Sequence, residues 1–254
     1  MKELKMDTRS TIRKLVKFIR RSVLSCGFKK AVLGLSGGVD SSLAASLAKE
    51  ALGAKNVLGL FLPYGKRRDD LPGIRRLVKK LGIRFKLIDI APMVDAYFRR
   101  VPGACRVRKG NMMARQRMMV LYDQSKVFNG IVLGAGNRTE ILLGYFTLYG
   151  DSGCAVNPIS GLYKTHVWQL AASLGVPEDI LQKHPSAGLW PGQTDEDELG
   201  FLYKDADRLL HYMVDKKYSA AKLAGMGFNK GFIQKVRRRM AQTEFKRRGT
   251  VTFP

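Results

Sequence analysis

An α/β fold, with a doubly wound parallel sheet, helices on both of its faces and a helical C-terminal part, is what this sequence predicts, on three observations. Apolar runs of strand length alternate with helical patterns through the first half of the chain, which implies parallel strands joined by right-handed crossovers. The run Ala31-Val32-Leu33-Gly34-Leu35 passes through Ser36-Gly37-Gly38 directly into a helix start, Val39-Asp40-Ser41-Ser42. The chain has 254 residues, 45% of them hydrophobic, enough for one sizeable core, so a single domain over 1–254 is expected.

Taken in order, Ile12, Leu15, Val16, Ile19, Val23 and Leu24 recur at helical spacing between Thr8 and Cys26, with basic residues opposite, which predicts a covering helix. The strand-turn-helix follows, its helix continuing through Ala48. In the turn, Gly37 and Gly38 accept backbone angles closed to other residues and let a ligand approach the main chain. The hydroxyls of Ser36, Ser41 and Ser42, with the unpaired N–H groups of the helix start, make this an anion cradle. A carboxylate beside bound phosphate is repelled unless a cation lies between them, so Asp40 points to Mg²⁺. A second buried strand is expected at Asn56–Leu62, ending in the turn Pro63-Tyr64-Gly65. The charged run Lys66 to Asp70 leads into a helix through Lys80, then a third strand at Arg84 to Ile88 and a helix from Ala91 to Arg99.

Val101-Pro102-Gly103 breaks that pattern, and Lys109 to Tyr122 is read as a methionine-rich helix whose methionines fill a core face. Positions two apart diverge around a helix, so Arg115 and Arg117 do not both face that core, and one is free to reach a ligand. The strand Ile131–Leu133 ends at Gly134-Ala135-Gly136-Asn137-Arg138-Thr139-Glu140. Open parallel sheets bind ligands outside the C-terminal ends of their strands where the order reverses, so this loop and the cradle should share one crevice. Glu140 is then the candidate partner of Asp40 at a metal. From Gly144 to Thr165 the chain is glycine-punctuated and aromatic, a functional segment rather than a disordered one. Lys164 opens the next helix and offers a point charge to phosphate.

Composition narrows the partners. Lys and Arg number 45 against 21 Asp and Glu, a formal charge of +24 that is compatible with polyphosphate, nucleic acid or anionic surfaces and selects none of them. Cys26, Cys105 and Cys154 form no metal-spaced pair and leave an odd count, as expected of a reducing cytoplasm. No apolar run approaches membrane-spanning length, so no membrane partner is expected, and the N-terminus lacks a signal-peptide pattern.

Ser36-Gly37-Gly38-Val39-Asp40-Ser41 resembles the pyrophosphate loop of the N-type ATP pyrophosphatases, which split ATP between its α and β phosphates and pass AMP to an acceptor. The later segments Gly144-Tyr145-Phe146-Thr147, Gly150-Asp151, Gly161-Leu162-Tyr163-Lys164-Thr165, Leu174-Gly175-Val176-Pro177 and above all Pro185 to Gly200 are similar to the ammonia-dependent NAD synthetase family. The likeness runs from about Leu15 to Arg247. It implies an adenine nucleotide α-hydrolase-like fold, a homodimer, and amidation of deamido-NAD by free ammonia through an acyl-adenylate, with AMP and pyrophosphate released. Gly34, Leu35, Ser36, Gly37, Gly38, Val39, Asp40 and Ser41 would hold ATP with Lys164 and Ser186. Asp40 and Glu140 would bind Mg²⁺, Arg115 and Lys246 would contact deamido-NAD, and Asp40, Lys164 and Asp151 would serve catalysis, Asp151 by deprotonating ammonium.

The chain departs from that pattern at four places. Leu148 stands where the family has Lys, Ala155 where it has Asp, Phe245 where it has His, and Ala135 where it has Thr. The ATP side is nearly whole, while the acceptor side has lost polar contacts. A related ATP pyrophosphatase acting on another carboxylate or on tRNA is the alternative, the latter raised by the basic tail from Lys216 to Arg248. Against it stand the absence of a reactive-cysteine pattern and of an added RNA domain. A binding protein that kept the fold and lost catalysis is disfavoured by Asp40, Glu140 and Lys164. Glutamine-using relatives carry an extra amidase domain that this chain has no room for, so free ammonia is the expected donor.

Overall fold

The computed structural model describes residues 3–66, 68–190, 192–249 and 252–253; Arg67 of the charged run and Pro191 of the Pro185–Gly200 motif lie outside them. The chain opens with helix α1 (Thr8–Ser25), capped by the Asp7 carboxylate accepting from the Ser10 N–H. Strand β1 (Ala31–Gly34) runs into helix α2 (Val39–Leu52), and β2 (Val57–Phe61) is followed by α3 (Leu71–Leu81) and β3 (Arg84–Leu87). Then come α4 (Ala91–Arg100), α5 (Arg106–Phe128) and β4 (Ile131–Leu133). The methionine-rich helix is thus longer than its sequence pattern predicts, reaching the buried Phe128 at its C-terminal end.

Among the described residues the sheet has the order β3-β2-β1-β4 with every pairing parallel, Val32 facing Leu58 on one side and Val132 on the other. Successive strand residues point to opposite faces, and the core divides accordingly. Ala31, Leu33, Val57 and Phe61 pack with α1, α2 and α3, whereas Val32, Leu58, Leu60 and Val132 pack with Met113, Met118 and Leu121 of α5 and Val94 of α4. Helices on both faces and parallel strands are the predicted doubly wound arrangement. Strand β3 lies at the sheet's edge, and its Arg84 and Lys86 are exposed.

Beyond β4 the chain forms α6 (Arg138–Leu143), the irregular segment, then α7 (Lys164–Ser173), α8 (Glu178–Leu181), α9 (Asp195–Leu199), α10 (Tyr203–Leu210), α11 (Ala220–Gly225) and α12 (Lys230–Gln242). Helices α7 and α8 return to the first face of the sheet, while Leu143, Tyr163, Leu199, Tyr203, Leu209, Leu223 and Val236 build a further cluster among the C-terminal helices. The irregular segment comes back alongside β4, where Leu133 and Val156 make an isolated parallel bridge and the Gly134 N–H donates to the Val156 carbonyl at 2.8 Å. This return sets residues 154–157 against the loop that follows β4.

Candidate active site

The strand order reverses between β1 and β4, so the cradle after β1 and the loop after β4 open into one crevice, as the sequence predicts. In the cradle, Gly37 has φ 79°, a left-handed angle that costs glycine little, and a Cβ there would lie 2.6 Å from Cβ of Asp70. Asp70 lies over the turn, paired with Lys183. The serine hydroxyls brace the turn itself: Ser36 Oγ lies 3.1 Å from Ser41 Oγ, and Ser41 and Ser42 donate to the Gly38 carbonyl at 3.0 and 2.9 Å. Gly34 ends β1, Leu35 is buried in the core with its N–H given to Leu60 O at 2.8 Å, and Val39 is buried at the helix start. Among these positions, Gly38 caps α2 without a side-chain hydrogen bond.

Asp40, in the first turn of α2, is held from across the crevice. Asn137 donates from Nδ2 to its Oδ1 at 2.9 Å, and Lys164 donates from Nζ to its Oδ2 at 2.5 Å. Asn137 also caps α6 in a reciprocal box, its Oδ1 accepting from the Glu140 N–H while the Asn137 N–H donates to Glu140 Oε2 at 3.1 Å. That box orients Glu140, whose Oε1 lies 3.7 Å from Lys164 Nζ. One ammonium therefore sits between two carboxylates contributed by α2 and α6, although they are 100 residues apart in sequence, from 40 to 140.

Lys164 is 2% exposed. Burial alone would discharge it, but the Asp40 and Glu140 carboxylates more than offset this and hold it charged well above the ordinary lysine range. Burial and then Asp40 push Glu140 up to about 8, Lys164 opposing. The two carboxylates do not share the ammonium evenly. Asp40 holds the short contact, and Glu140 the longer one.

Beneath this triad lies a polar floor that sequence reasoning assigned no role. The Lys164 ammonium is 4.9 Å from the centroid of the Tyr203 ring and 5.9 Å from that of Trp168. Tyr203 donates to Asp195 Oδ2 at 3.0 Å and Tyr145 to Asp195 Oδ1 at 3.1 Å, with Asp195 buried. Asp207 is buried as well, accepting from Thr139, from the Thr165 hydroxyl and from the Thr165 N–H, which ties the start of α7 to α6. The signal for Asp195 was its place in the Pro185–Gly200 motif. Asp207 and Tyr203 sit in an ordinary amphipathic pattern that carried no signal.

Of the other predicted residues, Asp151 and Lys246 line a cavity of about 440 Å³ beside Glu140, with Phe146, Leu148, Cys154 and Ala155 among others. Asp151 braces its own loop, accepting at Oδ1 from the Thr147 N–H at 2.8 Å, and the packing around it pushes its carboxyl above the ordinary range. Lys246 gives its ammonium to the carbonyls of Gly144 at 2.9 Å and Phe146 at 2.7 Å, so it clamps the cavity wall with two of its three N–H groups. Arg115 is exposed, its Nε donating to the Leu148 carbonyl at 3.2 Å, while Arg117 donates to the Leu62 carbonyl at 3.0 Å; both guanidinium groups hold backbone. Ser186 is exposed and accepts from the Gly188 N–H at 3.1 Å, with no contact to the cradle among its described bonds.

A parallel sheet wound with helices on both faces, with a glycine anion cradle and a carboxylate-lysine-carboxylate cluster at its switch point, defines an α/β nucleotide-binding protein of Rossmann-like architecture. A family model described as NAD synthase matches residues 11–250, and the chain belongs to that family. Its sequence is 48% identical to the NH(3)-dependent NAD(+) synthetase of Trichlorobacter lovleyi, covering 98% of this chain and 91% of that one. It is 44% identical to the enzyme of the same description from Fusobacterium nucleatum, over 98% and 96% of the two chains. Among solved structures, it is similar to an NMN synthetase from Francisella tularensis (TM-score 0.86, 34% identity, 98% and 99% of the two chains). It is also similar to an NH3-dependent NAD synthetase from Campylobacter jejuni in complex with the nitrate ion (TM-score 0.84, 31% identity, 98% and 100%).

Proposed function

We propose that this chain amidates the carboxylate of deamido-NAD with free ammonia at the expense of ATP, releasing AMP and pyrophosphate. The observation that carries this reading is Lys164, buried between Asp40 and Glu140 at the mouth of the cradle. The cradle residues Gly34 to Ser41, with Ser186, would receive the ATP phosphates. Lys164 would then stabilise the charge that grows on the leaving pyrophosphate as the acceptor carboxylate attacks the α-phosphorus. Arg115 would meet the acceptor, and Lys246 would serve it indirectly, through the wall it clamps. Asp151 would take the proton that ammonium must lose before nitrogen attacks the acyl-adenylate. The named relatives use NH(3) and so support the donor and the reaction over an RNA substrate.

The donor set suits Mg²⁺. Among the described residues no group of three or more His, Cys, Asp and Glu converges on a metal position, so the chain offers two hard oxygen donors, Asp40 and Glu140, and no closed cage. Mg²⁺ is held in that way, by one or two carboxylates with phosphate oxygens and water completing its shell. When bound it would supply charge neutralisation at the triphosphate. We further read the whole chain as one working unit that pairs as a homodimer in the cytoplasm, a reading supported by the family likeness. Among the described residues, no helix is long and apolar enough to cross a membrane.

ATP–pyrophosphate exchange tests the reading, with deamido-NAD, nicotinate mononucleotide, unrelated carboxylates and tRNA supplied in turn and ammonium withheld. Deamido-NAD is expected to support exchange, and Asp40→Asn to reduce it at least about 100-fold at a temperature where the variant is still folded, since weakening the partner of the buried Lys164 also costs stability. Exchange driven by tRNA alone would replace this reading with the RNA alternative.

A further inference from the structure

Lys164 has two kinds of neighbour, carboxylates and aromatic rings. Asp40 accepts from its ammonium at hydrogen-bond distance, and Glu140 lies at 3.7 Å. The Tyr203 ring has its centroid 4.9 Å from the same ammonium, closer than that of Trp168 at 5.9 Å. Tyr203 is wholly buried and held at both ends. Its N–H donates to Glu196 Oε1 at 2.9 Å and its hydroxyl to Asp195 Oδ2 at 3.0 Å. The Trp168 ring stands at 88° to it, with centroids 6.4 Å apart, which fixes the plane of the phenol. Asp195 is buried as well, and its other oxygen accepts from the Tyr145 hydroxyl at 3.1 Å, so the anchor is itself anchored.

These neighbours respond differently when the site is loaded. Asp40 and Glu140 are also the proposed donors to Mg²⁺, and a carboxylate drawn to a divalent cation holds an ammonium less tightly. Lys164 then loses attraction just where like charge arrives. An aromatic face does not compete for Mg²⁺, which takes oxygen donors, yet it attracts an ammonium, most strongly where water is excluded. A phenol that donates its proton to a carboxylate carries more electron density on its ring, so the Asp195 bond strengthens that attraction. We propose that Tyr203, anchored by Asp195, is a positioning residue for Lys164, holding its ammonium toward the triphosphate when Asp40 and Glu140 turn to the metal. This rests on the amidation reading given above.

The test uses the full chain, with Tyr203→Phe, which keeps the ring and loses the hydroxyl, Tyr203→Leu, which loses the ring, and Asp195→Asn, which loses the anchoring charge. Two readouts are taken with Mg²⁺ at a temperature where each variant is folded. One is kcat and KM in deamido-NAD-dependent ATP–pyrophosphate exchange, and the other is calorimetric affinity for α,β-methylene-ATP, which cannot be cleaved at the reacting bond. Tyr203→Leu is expected to lower kcat roughly ten-fold, the order of one desolvated cation–π contact, while analogue affinity and KM for deamido-NAD stay within about three-fold. Tyr203→Phe is expected to keep kcat within about three-fold of wild type, and Asp195→Asn to fall between the two. The inference is overturned if kcat in Tyr203→Leu matches wild type, or if phenylalanine loses as much as leucine, which would assign the effect to the hydroxyl. It is equally overturned if analogue affinity falls as far as kcat, as a site that merely loses its packing would give. Should Tyr203→Leu fail to fold, Asp195→Asn decides, and an unchanged kcat there overturns the inference. Failure of exchange in the wild type would remove the amidation reading itself, a separate result.

Discussion

Glu140 is the residue at which burial and charge pull hardest against each other. Desolvation and the Asp40 carboxylate push it up to about 8, and Lys164 only partly opposes them. The native chain therefore keeps a proton that the unfolded chain releases within the ordinary carboxylate range. With more protons bound in the native state, stability falls as pH rises. This contribution is present in full below the ordinary range, is lost progressively up to about pH 8, and changes no further above it. In chelator, wild-type protein should lose more of its melting temperature between about pH 5 and about pH 8 than Glu140→Gln, which retains the capping geometry without the titration. Parallel pH profiles for the two proteins would show that Glu140 is ordinary. Lys164, by contrast, has both carboxylates as partners, and its charge persists through this window.

At the scale of elements, the site depends on how the ends of α6, α7 and α12 are joined. Helix α6 is short, Arg138–Leu143, and ends on Gly144 at φ 60°, where a Cβ would run into the Thr243 side chain at the end of α12. Around that close approach, Arg239 donates to the Leu143 carbonyl at 3.1 Å and Lys246 to the Gly144 carbonyl. The basic tail thus supplies the cations that close off the C-terminal carbonyls of α6, a favourable pairing with the helix dipole. Gly144→Ala combines a left-handed angle with a clash and should cost about 2–3 kcal/mol in urea unfolding. A cost within about 0.5 kcal/mol would mean that α12 moves aside freely.

For the molecule as a whole, 45 basic against 21 acidic residues produce a long-range positive field that attracts polyanions without naming one. Several of the basic side chains near the cavity are taken up by backbone carbonyls, which argues for a structural use of charge on that side. Binding to heparin or tRNA should accordingly be salt-labile and lost by about 150 mM salt, with tRNA neither supporting exchange nor altering KM for ATP. Salt-resistant binding with more than ten-fold stimulation would mean that the basic surface serves an RNA substrate.

The sequence by itself determined the doubly wound parallel sheet, because continuous apolar runs and helical stripes alternate and local pattern decides strand or helix. It also placed the cradle and paired Asp40 with Glu140, since a strand-glycine-helix turn and the switch-point rule locate a crevice before any coordinates exist. Only the tertiary structure decided how side chains within that crevice are spent. Lys246 and Arg115 have the charge expected of ligand-binding residues, and their hydrogen bonds go to backbone instead. Asp207 and Tyr203 lie in an ordinary amphipathic pattern and owe their positions to the packing of the C-terminal helices. Hydrogen-bond partners are chosen by proximity after folding, between residues tens of positions apart, and no periodicity along the chain records that choice.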